Sequence, residues 1–68
     1  MNKIGCIIKE LRKEKGLSQE KLAAVLGVTQ DSISLWELDK RIPDTLYVVE
    51  MAKLFDVTTD YLLGLSDY

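Results

Sequence analysis

Residues 18–37 read SQEKLAAVLGVTQDSISLWE, a stretch that encodes two helices joined by a very short turn. Ser18 offers a side-chain oxygen to the unpaired amides of a helix start, and Gln19 to Leu26 follow with Leu22, Ala23, Val25 and Leu26 as the expected inward set. Gly27 closes that helix, because glycine takes the left-handed conformation without steric cost. Thr29 then caps a further helix, Gln30 to Leu38, with Ile33 and Trp36 turned inward. Only Gly27-Val28-Thr29 separates the two helices, so they must cross steeply. Ala23 suits such a crossing, where a larger side chain would clash, and Val28 and Ile33 are placed to seal it.

The helical spacing continues in both directions. Upstream, Ile4, Ile7, Ile8 and Leu11 recur at three- and four-residue steps, and Gly16 ends their helix with Lys13 and Lys15 near its negative end. Downstream, Asp39 to Pro43 read as a loop. Asp44 caps a fourth helix with Leu46, Val49, Met51, Ala52, Leu54 and Phe55 inward. Thr58 caps a short fifth helix carrying Tyr61, Leu62 and Leu65, with Gly64 near its end. No strand-period segment, repeat or low-complexity stretch interrupts the pattern. The expectation is an all-α, compact five-helix bundle, one domain over residues 1–68, with helices two and three forming the tight pair.

Composition narrows the function classes. A chain of 68 residues builds a thin core and little room for a deep catalytic cleft. Cys6 is the only cysteine, which rules out an intramolecular disulfide and suits a reducing compartment. Histidine is absent, removing the usual general base and the commonest transition-metal ligand. No glycine-rich phosphate loop, metal-ligand cluster or nucleophile–base pairing is visible, and Asp44 and Glu50 read as a cap and a surface charge. No catalytic role, cofactor, metal or small-molecule ligand is therefore expected. The first fifteen residues alternate charges with aliphatics, so neither a signal peptide nor a membrane span is expected and the location reads as cytoplasmic.

The formal net charge is −2, unlike the basic balance usual for nucleic-acid binding. Its distribution is uneven. Lys3, Lys9, Arg12, Lys13 and Lys15 outnumber Glu10 and Glu14 in the first helix, whereas after Arg41 only Lys53 opposes Asp44, Glu50, Asp56, Asp60 and Asp67. Acidity thus collects in the C-terminal third, and the global charge describes solubility better than any one face.

The run at 18–37, together with IGCIIKELRKEKGLSQ at 4–19 and MAKLFDVTTDYLLG at 51–64, resembles the lambda-repressor/Cro-like family, also called the XRE family, along nearly the whole chain. The resemblance implies a helix-turn-helix whose third helix enters the major groove of duplex DNA. It implies base-reading positions at Gln30, Asp31, Ser32 and Leu35, where the Gln30 amide matches the donor–acceptor pair of adenine. Gln19, Thr29, Ser34, Lys40 and Arg41 fall at phosphate-contacting positions. Arg12 and Glu37 match an ion pair that joins the first helix to the reading helix. A homodimer on an inverted-repeat operator is the implied working form. With little chain beyond the fifth helix, no separate effector or dimerisation domain is expected and the contact is sought within Leu46 to Tyr68.

Plainer readings stand beside these. Gln30 has a plainer reading as a solvated first-turn residue, and Asp31 serves the helix dipole better than cytosine N4. Leu35 departs from the polar or basic residue common in relatives, leaving contact with a thymine methyl. Leu38-Asp39 stands where relatives often carry a polar residue and glycine. Trp36 reads as core, and Tyr47, Tyr61 and Tyr68 as core edge or dimer contact. The acidic balance with Leu35 and Leu38 keeps open an alternative: a protein-interaction or antitoxin-type module on the same fold.

Overall fold

The computed structural model describes residues 3–66, which form α1 (Ile4–Glu14), α2 (Gln19–Leu26), α3 (Gln30–Glu37), α4 (Thr45–Phe55) and α5 (Thr59–Leu62). Among the described residues there is no strand. Three helices start on the hydroxyls expected of them. Ser18, Thr29 and Thr58 accept hydrogen bonds from the backbone N–H of Lys21, Ser32 and Tyr61 at 3.0, 3.2 and 3.0 Å. Such caps contribute about 1 kcal/mol each. Asp44 differs from expectation: it holds the cap position of α4, but its exposed side chain makes no capping bond.

The turn between α2 and α3 depends on Gly27, whose φ of 73° lies in the left-handed region. There the N–H of Val28 returns to the carbonyl of Ala23 at 3.0 Å, closing α2 before the chain enters α3. Asp39 after α3 and Asp56 after α4 reverse the chain in the same way without glycine, at φ 58° and 56°. Aspartate tolerates that conformation better than most side chains.

The centre of the molecule takes one completely buried large side chain from every helix: Ile8, Leu22, Ile33, Met51 and Leu62. Ile7, Leu11, Ala23, Trp36, Val48, Ala52 and Phe55 surround them. Val28 and Leu26 pack on this core at the α2–α3 turn. Tyr47 lies half-buried against Trp36, ring centroids 5.6 Å apart, and Tyr61 is half-buried on the core edge. Tyr68 lies outside the described residues.

Three expected inward residues face solvent instead. Val25 is 58% exposed because Leu22, Ala23 and Leu26 define the buried stripe of α2 and Val25 falls to its side. Leu46 is 77% exposed, and Val48 takes the buried place that spacing gave to Val49. α4 is apolar almost all round, and its true inward face is Val48, Met51, Ala52 and Phe55, leaving Val49 and Leu54 half-buried. Leu65 is 69% exposed, since Gly64 at φ 78° turns the chain before Leu65 can continue the stripe of α5.

Candidate nucleic-acid interface

α3 buries Ile33 and Trp36, turns the Glu37 side chain inward, and presents Gln30 and Asp31 to solvent. Gln30 and Asp31 are exposed in its first turn, Ser34 and Leu35 lie half-buried one turn on, and Leu38 is 61% exposed just past its end. Helical spacing sets Gln30 beside Ser34, and Asp31 beside Leu35 and Leu38, so these five make one continuous outer face. Its chemistry is mixed: an amide, a carboxylate, a hydroxyl and two leucines. Asp31 sits in the first turn, where the helix dipole favours an anion.

Ser32 belongs elsewhere. Its hydroxyl hydrogen-bonds the Thr29 hydroxyl at 3.1 Å, and its backbone N–H donates to the same Thr29 oxygen. It lines a cleft with Val28, Trp36, Arg41 and Tyr47, a cleft to which neither Gln30 nor Asp31 contributes. Thr29 is exposed, with its oxygen already engaged in capping α3.

The exposed bases Lys40 and Arg41 are fastened to α3 through their backbone. Both N–H groups donate to the carbonyl of Leu35, at 2.9 and 3.3 Å. Asp39, left-handed at φ 58°, makes the reversal that brings them back over the last turn. The loop therefore keeps the geometry a glycine would give, although aspartate stands there. The Asp39 side chain adds a further bond, from the backbone N–H of Gly5 at 3.0 Å.

Beneath this surface, Arg12 of α1 and Glu37 of α3 form an ion pair whose side chains are 10% and 4% exposed. Arg12 Nε donates to Glu37 Oε2 at 2.6 Å and Nη2 to Oε1 at 3.1 Å, a bidentate fork. Arg12 Nη1 donates to the carbonyl of Leu17 at 2.8 Å. Gln19 Nε2 completes the cluster by donating to Glu37 Oε1 at 3.0 Å. Among the described residues, no buried side-chain nitrogen or oxygen lacks a partner. One cluster thus ties the end of α1, the start of α2 and the end of α3 together.

Three of these contacts were not anticipated from sequence: Arg12 to the Leu17 carbonyl, Gln19 to Glu37, and Gly5 to Asp39. A carboxylate offers about four lone-pair sites, more than one guanidinium fills, and this was the sole sequence-level hint of a second donor to Glu37. For Gly5 no local signal exists, because its partner lies 34 residues away.

A helix-turn-helix family model matches residues 8–62. The HTH-type transcriptional regulator ImmR of Bacillus subtilis is 38% identical over 61 residues, which are 90% of this chain and 48% of ImmR. The uncharacterized HTH-type transcriptional regulator YobD of the same organism is 37% identical over 60 residues, 88% of this chain and 54% of YobD. The chain spans about half the length of these two relatives. Among solved structures, the P22 c2 repressor protein in complex with synthetic operator 9T superposes with a TM-score of 0.89 at 27% identity, over 97% of this chain and 100% of that one.

Proposed function

The chain belongs to the helix-turn-helix family, and on that premise we propose that it binds duplex DNA sequence-specifically as a transcriptional regulator. The observation that carries the reading is the outer face of α3, free of core contacts at Gln30 and Asp31 and held from below by the Arg12–Glu37 pair. The likeness to a repressor with its operator supports it. In this reading Gln30 reads a base edge, with Leu35 against a thymine methyl. Asp31 serves the dipole and narrows the set of tolerated sites. Ser34, Gln19 and the Lys40–Arg41 pair meet phosphates, and Thr29 and Ser32 support the start of the helix.

One such face reads few base pairs, so the working form is a homodimer on an inverted repeat, half-sites about 10–10.5 bp apart. Leu46 and Leu65, exposed in the region expected to make the contact, are its candidate residues. No described helix is long and apolar enough to cross a membrane. A regulator of this kind works in the cytoplasm, and no catalytic step, cofactor or small-molecule ligand enters the reading.

Leu38, 61% exposed beside Leu35, favours a second reading, in which the same face docks a protein partner with weak or no DNA binding. Selection from a random duplex library, followed by binding of the winner at several salt concentrations, separates the two. An enriched inverted repeat with affinity falling steeply in salt supports the regulator. No enrichment and no binding at low salt leaves the protein-partner reading in its place.

A further inference from the structure

Gln19 is the first residue of α2, half-exposed, where the free backbone N–H groups of that helix make a favourable place for an anion. A glutamine amide on a surface normally rotates freely and presents either its oxygen or its nitrogen. Here it cannot. Glu37 is an ionised carboxylate that only accepts, so the Gln19 amide must turn its nitrogen toward Oε1, and the 3.0 Å contact has that polarity. Glu37 cannot swing to follow Gln19, because Arg12 grips both of its oxygens and is itself fixed on the Leu17 carbonyl.

We infer that Glu37 is a positioning residue for Gln19. By consuming one amide hydrogen, it holds the second Nε2 hydrogen in a fixed direction, ready for a phosphate oxygen at the start of α2. The inference rests on the DNA-binding reading above and assigns Glu37 a task beyond joining α1 to α3. The gain is preorganisation: the glutamine is ordered before binding, so ordering it does not weaken the complex.

Two measurements test it. In the free wild-type protein, the side-chain 15N heteronuclear NOE of Gln19 should match that of the helical backbone. A value typical of a freely rotating surface glutamine overturns the inference. The second is a double-mutant cycle on the selected duplex at one salt concentration. Replacing the pair as R12M/E37M exchanges a buried ion pair for hydrophobic residues of similar volume, a change often neutral for folding. In the wild-type background Gln19→Ala should weaken binding about fivefold, and in R12M/E37M by less than about twofold, because the amide is no longer aimed. Equal losses in the two backgrounds overturn the positioning role while leaving DNA binding intact. A wild-type protein that binds no duplex overturns the DNA-binding reading and this inference with it.

Discussion

The carboxylate of Asp39 accepts a hydrogen bond from the backbone N–H of Gly5, capping the first turn of α1 from the far end of α3. α1 has no cap of its own, since Lys3 at its N-cap position offers no acceptor to the helix. The approach is close. A Cβ at Gly5 would stand 2.5 Å from the Trp36 carbonyl oxygen, 2.6 Å from that of Glu37 and 2.9 Å from Asp39 Oδ2. The start of α1 and the exit of α3 are in contact because residue 5 has no side chain.

Gly5→Ala should accordingly destabilise the domain. In an ordinary helix interior the change gains about 1 kcal/mol. Here the added methyl meets backbone carbonyls, which cannot rotate away, and overpacking of that kind costs about 1–3 kcal/mol. Thermal unfolding followed by circular dichroism should show a lower Tm; an increase would mean that the two helix ends separate easily.

Substitutions at Asp39 should separate its two roles. Asparagine keeps both a side-chain acceptor and tolerance of the left-handed conformation, so Asp39→Asn should lie close to wild type. Alanine loses both and should cost about 1–2 kcal/mol. Glycine relieves the conformation but abandons Gly5, and should fall between them. Urea midpoints in that order bear the argument out, and an equal loss in Asp39→Asn and Asp39→Ala contradicts it.

Glu37→Ala leaves the Arg12 guanidinium nearly buried and without a counter-charge. Removing one partner of such a pair costs about 3–5 kcal/mol, a large share of the stability available to a domain this small. The urea midpoint should drop accordingly. An unchanged midpoint would show that Arg12 escapes to solvent when released.

On DNA, Gln30 and Lys40 should behave differently. Gln30→Ala should relax preference at one base position by about 1–3 kcal/mol, whereas Lys40→Ala should weaken all sites alike and lower the salt slope by about one. Binding to the selected duplex and to single-base variants at several salt concentrations distinguishes these outcomes. Uniform weakening by Gln30→Ala would remove it from the base-reading set.

Much of the fold was legible because its decisive signals are local. A hydroxyl three residues ahead of its partner N–H marks the starts of α2, α3 and α5, and Gly27 marks the end of α2 within the same few residues. The face of α4 was not legible, since a helix apolar nearly all round carries no stripe to read; for that reason Val48 is buried in place of Val49, and Leu46 faces solvent. The family resemblance supplied a set of candidate positions, of which the structure sets Gln30, Asp31, Ser34 and Leu35 on one outer face and Ser32 apart from it. The way that face is mounted was only partly legible. Gln19 bonded to Glu37, and Gly5 to Asp39, are pairs made by the packing of α1 against α3 and of α2 beside it, and no spacing along the chain records them.

The completely buried large side chain that every helix sends to the centre bears on how such a domain recognises anything at all. Ile33 is completely buried in one core with Ile8, Leu22, Met51 and Leu62, and sliding or tilting α3 toward a ligand would disrupt that packing. On the proposed DNA-binding reading, adjustment at the interface is left to side chains at its rim and to the nucleic acid itself. A site that bends easily into register is then favoured over one that presents the same base edges on a stiffer duplex.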